Sequence, residues 1–348
     1  MKKEDTKNIA LYRKYRPENF SDIIGQDHIV NTIKGAISLG RVSHAYLLCG
    51  PRGIGKTTIA RIIARELGTS VNDIYEMDGA SNRKIEDARD IRENVRTLPF
   101  DSKYKVYILD EVHMFTKEAW NALLKTIEEP PEHVIFILAT TEFEKVPDTI
   151  VSRCQHFTFK KPTEKILASV VEKVAKKEGY SIDSGGRELI ALIGDGSFRD
   201  TLSTLDKVIS YSSDKKISRD EIATVTGSPH ITLVEDFLTS LKDSDIEKGL
   251  RAVGKAKDQN IEMKIYFKMI ISHLRYALMI RYAPNMKKEI EENLSEHDVS
   301  FLVNLVEDKP KHIVSATLSV LLERYQSLRY SFISELPLEL ALMEILGE

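Results

Sequence analysis

The stretch "LLCGPRGIGKTTIARIIA", residues 47–64, runs apolar residues into Gly50-Pro51-Arg52-Gly53-Ile54-Gly55-Lys56-Thr57, a G-x-x-x-x-G-K-T spacing. The spacing carries weight only where a strand enters it and a helix leaves it. Both are predicted here. His44 to Cys49 reads as a short buried strand, and Ile59, Ile62, Ile63 and Leu67 recur at helical spacing after Lys56. Glycines let successive backbone N–H groups curl toward phosphate oxygens, and the helix N-terminus adds its dipole. Residues 50–58, ending in Thr58, therefore read as a triphosphate-binding loop. Lys56 is expected to be an exposed donor to the β- and γ-phosphates, and Thr57 a Mg²⁺ ligand.

A phosphate loop needs a second metal contact and a group that activates water. "KVYILDEVHMF", residues 105–115, supplies both at the end of a predicted strand. Asp110 fits the aspartate that stands near Mg²⁺, and Glu111 is placed to orient or polarise water. Two carboxylates in succession favour an ATPase over a switch GTPase or a kinase. Alone, an acidic strand end facing solvent would be the better reading; the pairing with Lys56 reverses that.

Bulk composition narrows the class. At 348 residues, two or three domains are expected, and an apolar content of 42% is ample for packed cores. With 53 acidic and 50 basic residues the net charge is −3, which excludes a globally basic nucleic-acid coat but not a local basic face. The two cysteines, Cys49 and Cys154, form no metal-ligand spacing and no secreted disulfide framework. The charged start "MKKEDTKNIALYRKYRP" has no apolar segment after it and does not read as a signal peptide. No apolar run approaches the roughly 20 residues that span a bilayer. A soluble, cytoplasmic protein without membrane partners is expected.

Residues 1–161 alternate strand and helix patterns, with strands at 44–49, 73–77, 105–109, 134–139 and 156–160. Helix patterns fall at 28–39, 56–67, 84–97 and 116–128. Thr116 reads as an N-cap, Trp120, Leu123, Leu124 and Ile127 as a buried stripe, and Pro130-Pro131 as its stop. The order implies an α/β fold whose parallel sheet is covered on both faces, with the phosphate site at the C-terminal strand ends. After Pro162 the strand signal disappears. Residues 162–226 read as a small helical lid, with helices at 163–178, 185–194, 198–211 and 218–226. Residues 227–348, beyond the linker-like "TGSPHIT", read as a larger all-helical domain.

Two arginines stand at specific places relative to this loop. "TIVSRCQHF" sets Arg153 just before the last strand, and "GDGSFRDTL" sets Arg199 near the start of a lid helix. A lid arginine can fold over its own γ-phosphate. An arginine at the sheet edge away from the loop reaches a neighbour's phosphate instead, which requires an oligomer.

With these segments in hand, the sequence resembles the AAA+ clamp loaders, and among them the gamma/tau family of bacterial DNA polymerase III. The resemblance covers nearly the whole chain. It rests on "YRKYRPENFSDIIGQDHI", "HAYLLCGPRGIGKTTIAR", "KVYILDEVHMFTKEAWNALLKTIEEPPEHVIFILATT", "SRCQHF" and "GSFRDTLS". It implies an AAA+ ATPase core, a lid and a C-terminal collar that joins a pentameric ring. The ring's other members would be delta, delta-prime and further gamma/tau copies, and its targets the sliding clamp and primed DNA. ATP and Mg²⁺ follow as substrate and cofactor. By the same resemblance Tyr12, Arg16, Pro17 and Ile24 enclose the adenine. Lys56 and Thr57 match Walker A, and Asp110 and Glu111 match Walker B. Thr141 matches sensor 1, with Thr140 as fallback. Arg153 matches the trans arginine finger and Arg199 matches sensor 2.

Two departures stand out. The resemblance implies that most bacterial relatives carry a four-cysteine zinc module after the P-loop helix; here that place holds "ARELGTSVNDIYEMD" without a cysteine, so no zinc is expected. Longer relatives also extend beyond the collar, and the sequence leaves open a short form or part of a longer one. For DNA, "ASNRKIEDARDIRENVR" sets Arg89, Arg92 and Arg96 on one helical face, with Arg83 and Lys84 near the helix start. The same stretch carries Glu86, Asp87, Asp90 and Glu93, so a salt-laced solvated helix competes with a DNA contact. The resemblance favours Arg83 and Lys84 as sequence-independent phosphate contacts. A DExH helicase would need a second motor domain, and residues 163–348 show no strands for one. Another AAA+ DNA motor, such as a branch-migration helicase, is the nearer alternative; it would end in a small winged helix. A passive nucleotide-binding scaffold is disfavoured by the intact Lys56, Asp110, Glu111 and Arg153.

Overall fold

The computed structural model describes residues 9–81, 84–286, 290 and 294–347. Strands β1 (Ala45–Cys49), β2 (Ile74–Asp78), β3 (Lys105–Asp110), β4 (Val134–Thr140) and β5 (Gln155–Thr158) make one sheet in the order β2-β3-β4-β1-β5. Every pairing in it is parallel. The three inner strands are apolar along nearly their whole length because helices cover both faces. The helices of this unit are α1 (Leu11–Lys14), α2 (Asp27–Ser38), α3 (Lys56–Glu66), α4 (Ile85–Asn94), α5 (Lys117–Glu128) and α6 (Asp148–Val151).

Period-two alternation divides the strand residues between two cores. Tyr46, Leu48, Ile108 and Ile137 pack with Ile29 and Ile33 of α2 and with Ile59, Ile62 and Ile63 of α3. Leu47, Tyr107, Leu109, Phe136 and Leu138 pack on the other face with Ala88 and Ile91 of α4 and the α5 stripe of Trp120, Leu123 and Ile127. Thr116 Oγ1 accepts from Ala119 N at 3.2 Å, capping α5 as its sequence predicts.

The chain divides into two compact units, Met1–Ile166 with Gly196–Asp200, and Leu167–Asp195 with Thr201–Glu348. The second contains most of α7 (Glu164–Lys177) and α9 (Phe198–Tyr211), together with α8 (Ser184–Ile193), α10 (Arg219–Thr226), α11 (Ile231–Asp243), α12 (Ile246–Asp258) and α13 (Met263–Tyr282). Helices Glu296–Val306, Ser315–Ser327 and Leu336–Leu346 complete it. One expectation fails here. Two strands, β6 (Ser181–Ile182) and β7 (Lys216–Ile217), pair in parallel after Pro162. Each has only two residues, too few to produce an alternating pattern.

A buried ionic cluster ties α10 to the helix Glu296–Val306. Arg219 Nη1 donates to both carboxylate oxygens of Asp298, at 3.0 and 2.9 Å, and Ser295 Oγ donates to Asp298 Oδ2 at 2.7 Å. Asp298, although buried, has its carboxyl held well below the usual range by His273, Arg219 and Ser295. Glu188 on α8 goes the other way: burial, with the Asp298 charge adding to it, pushes its carboxyl up to about 8. Among the described residues no helix is long and apolar enough to cross a membrane.

Candidate nucleotide site

The loop from β1 to α3 turns on glycine. Gly53 has φ +76°, and a Cβ there would stand 2.0 Å from Ser197 Oγ, so neither conformation nor space admits a side chain. α3 opens at Lys56 with Gly55 at φ 103° as its N-cap and no side chain capping it. Its first-turn N–H groups are therefore left for an anion. Ile54 is buried in the sheet core, so only its backbone faces the loop, and Pro51 has no N–H to give. Arg52 is exposed.

Lys56 departs from the expected exposed donor. It is 5% exposed, and its Nζ donates to Gly50 O at 2.7 Å and Pro51 O at 3.0 Å. Burial lowers its ammonium pKa, opposed by the charges of Glu111 and Asp110. The stem thus packs as core while the ammonium braces the loop.

Thr57 Oγ1 donates to Asp110 Oδ2 at 2.5 Å, joining the start of α3 to the end of β3. A hydroxyl beside a carboxylate is an oxygen donor set that suits Mg²⁺. Glu111 follows at φ 48° and ψ 44°, the left-handed region, rare for a residue with a side chain. Thr141 Oγ1 donates to Glu111 Oε2 at 3.1 Å. The fallback, Thr140, is buried and bonds locally: its Oγ1 donates to Glu142 O at 3.2 Å and accepts from Glu142 N at 3.0 Å. Lys56, Thr57, Asp110, Glu111 and Thr141 thus gather at the C-terminal ends of β1, β3 and β4.

Arg199 and Tyr12 also meet. The guanidinium lies 5.1 Å from the Tyr12 ring centroid, and Arg199 N donates to Gly53 O at 3.4 Å. Arg13 and Arg199 together lower the Tyr12 hydroxyl pKa. Arg16, expected beside the base, has its Nε on Thr58 Oγ1 at 2.9 Å; burial lowers its pKa while Asp110 works in the opposite direction. Pro17 is half-buried and Ile24 exposed.

Arg153 sits apart from these residues. The expectation put it at the sheet edge away from the loop; the strand after it, β5, is an edge strand, but the edge is the one that directly flanks β1, the strand that feeds the loop. Separation comes from the strand ends instead. Gln155 pairs with Tyr46 at the start of β1, so Arg153 lies at the opposite end of the strand from Gly50. Its Nη2 donates to Glu128 Oε1 at 2.6 Å and its Nη1 to Thr149 O at 2.7 Å.

Of the DNA candidates, Arg83 lies outside the described residues. Lys84 is exposed just before α4, with its backbone N–H on Asp87 Oδ2 at 3.0 Å. Arg89 and Arg92 are exposed on α4, whereas Arg96 falls beyond its end at Asn94. Among the described residues, no group of three or more His, Cys, Asp and Glu is arranged to hold a metal ion.

Known proteins resemble this arrangement over the same regions. A family profile described as "DNA polymerase III, delta subunit" matches residues 69–163. The chain is 36% identical over 357 residues to DNA polymerase III subunit tau of Bacillus subtilis, covering 97% of this chain and 63% of that one. It is 32% identical over 361 residues to DNA polymerase III subunit gamma of Buchnera aphidicola, covering 97% of this chain and 98% of that one. The chain belongs to the gamma/tau family of DNA polymerase III subunits. It spans 63% of the B. subtilis tau subunit and 46% of the Escherichia coli one. Among solved structures, it is similar to the RuvB Holliday junction branch migration motor of Thermotoga maritima, with a TM-score of 0.52 and 24% identity over 65% of this chain and 79% of that one. That likeness is one of fold, and it fits an AAA+ core.

Sequence reasoning about this gamma/tau chain missed three contributors to the site. Ser197 fills the space that Gly53 leaves. Gly79 abuts Glu111, where a Cβ would come within 2.6 Å of the carbonyl oxygen. His113 lies 3.3 Å from Glu111 Oε2 through Nδ1. The histidine in "DEVH" was legible as a residue, but its partners other than Glu111 lie on β4 and the turn after it, which no local pattern reveals.

Proposed function

We propose that this chain is the ATP-hydrolysing motor subunit of the DNA polymerase III clamp loader, which opens the sliding clamp and loads it on primed DNA. The observation that carries this is the gathering of Lys56, Thr57–Asp110 and Glu111–Thr141 in a chain that matches a gamma subunit over 98% of its length. Lys56, with the first-turn N–H groups of α3, would hold the β- and γ-phosphates. Thr57 and Asp110 would hold Mg²⁺, whose charge offsets that of the phosphates when bound. Glu111 would take up the proton of the attacking water, with Thr141 fixing its carboxylate. Tyr12, Arg16, Pro17 and Ile24 would enclose the base. Arg199 would fold over the phosphates in cis, and Arg153 would serve the neighbouring subunit's site.

Residues 162–226 and 227–348 would act as lid and collar, the collar joining delta, delta-prime and further gamma/tau copies in a pentamer. Exposed apolar residues support two partner surfaces. Tyr330, Phe332 and Ile333 stand in the collar, where ring neighbours would cover them. On the ATPase unit Val71, Leu98 and Phe100 are exposed, and buried Asp73 accepts from Phe100 N at 2.5 Å and Asp101 N at 2.9 Å, pinning two turns together. Lys84 and Arg83 would contact template phosphates.

The test is the ATPase rate of the assembled ring with primed DNA and a ring-shaped clamp, added separately and together. A rate that rises most when both are present supports the assignment. A rate indifferent to the clamp overturns it in favour of another DNA motor.

A further inference from the structure

His113 stands on the turn Val112–Met114, immediately after the two carboxylates, with its side chain only 8% exposed. Both ring nitrogens face side-chain oxygens. Nδ1 is 3.3 Å from Glu111 Oε2 and 3.2 Å from Thr140 Oγ1. Nε2 is 3.3 Å from Glu142 Oε1, and the other oxygen of Glu142 accepts from Lys145 Nζ at 2.9 Å. The Thr140 hydroxyl donates to Glu142 O, which leaves a lone pair of Oγ1 for the imidazole. The ring is therefore held by Glu111 and Thr140 at Nδ1 and by Glu142, in the turn after β4, at Nε2.

The Glu111 backbone has little freedom of its own. It is fixed at a positive φ, and Gly79 packs against its carbonyl, with Gly79 N donating to Asp110 O at 2.7 Å. What remains free is the swing of the carboxylate about its side-chain torsions. Thr141 and His113 both reach its Oε2 and limit that swing.

We propose that His113 is a positioning residue for ATP hydrolysis: Nδ1 sets the Glu111 carboxylate, and Nε2 anchors the ring to the exposed Glu142–Lys145 pair. Glu142 begins the segment that ends in Arg153, so the anchor lies on the stretch of chain that the proposed ring presents to its neighbour. This rests on Glu111 acting on the attacking water. A misplaced general base loses rate without losing substrate, because the phosphates are held elsewhere.

The test measures ATP affinity and turnover in the assembled, DNA- and clamp-stimulated ring for His113→Ala, His113→Asn and His113→Gln, each also combined with Glu111→Gln. Asparagine carries an N–H near the place of Nδ1, and glutamine one near the place of Nε2. His113→Ala should lower kcat by about tenfold with the Kd for ATP unchanged. His113→Asn should recover most of that loss and His113→Gln little of it. In the Glu111→Gln background, His113→Ala should cause no further loss. Equal losses in all three variants, a Kd that moves with kcat, or losses that multiply with Glu111→Gln would overturn the proposal. Glu111→Gln turning over like the native chain is read without touching His113, and it would remove the hydrolytic role of Glu111 and this proposal with it.

Discussion

Lys56 joins to the phosphate contact expected from the sequence a second task that the sequence did not suggest. Its ammonium is the only cation expected on the β- and γ-phosphates from within the loop, and it also bonds Gly50 O and Pro51 O. Lys56→Ala should therefore abolish ATP binding, and it should also destabilise the fold by about 1 kcal/mol as those bonds are lost. Calorimetric titration with ATP and a thermal melt check the two parts. Tight binding by the folded variant would sink the assignment. Glu111→Gln is expected to behave differently. It keeps the size of the side chain and leaves Thr57 and Asp110 untouched, so ATP should still bind. Turnover should fall by about 10²–10⁴-fold, the usual worth of a positioned general base. Single-turnover kinetics with bound ATP separate the two variants.

Within the helical unit, α8 carries a carboxyl whose environment should be visible in pH-dependent stability. Glu188 is raised by burial from its ordinary value near 4.5 to about 8. Below about 4.5 it is protonated in both folded and unfolded chains and costs nothing. As pH rises toward 8 the unfolded chain releases this proton first, so the stability Glu188 contributes is lost across that window. Glu188→Gln removes the ionisation while keeping the shape. The variant should melt higher than the native chain at pH 8 and lose the part of the decline between pH 5 and 8 that Glu188 causes. Melting curves of both chains at matched ionic strength check this; identical pH profiles would mean that the carboxyl is solvated. Asp298 on the partner helix works with the opposite sign, its stabilisation being lost only as pH falls below the usual carboxylate range.

The role proposed for Arg153 depends on assembly. In the single chain its guanidinium is held by Glu128 and Thr149, at the far end of the strand from the loop. Acting on a neighbour would require it to exchange the Glu128 carboxylate for a phosphate. Arg153→Ala should leave ATP binding by the isolated chain nearly unchanged and lower hydrolysis in the ring by on the order of 10³-fold, less if DNA gating limits the rate. Mixing Lys56→Ala chains with Arg153→Ala chains should rebuild one complete site wherever they adjoin in the right order. Rings that assemble from both variants and never recover activity would confine Arg153 to a role within its own chain. The purified chain should also carry no stoichiometric zinc, and chelators should not unfold it. Elemental analysis finding one zinc per chain would contradict this.

The alternation of strands and helices around "GPRGIGKT" was enough to specify a parallel α/β core, because buried strands and amphipathic helices leave a local periodic record in the chain. The identities of Lys56, Thr57, Asp110 and Glu111 were legible for the same reason: each sits at a fixed offset from a strand end. The contacts that set Glu111 were not legible. Gly79 and Thr141 reach it from the ends of β2 and β4, and His113, two residues along the chain, is itself held by Thr140 and Glu142, so the meeting depends on the order in which β2, β3 and β4 lie side by side. Strand order likewise set Arg153 just before an edge strand, as expected, but at the edge that flanks β1, leaving strand polarity to keep it from the loop. Lys56 looked like a free surface donor because a sequence records charge but not what closes over the stem. Local pattern thus pointed to the groups proposed to carry the chemistry, and long-range packing fixed how they are aimed, since aim depends largely on neighbours that are distant along the chain.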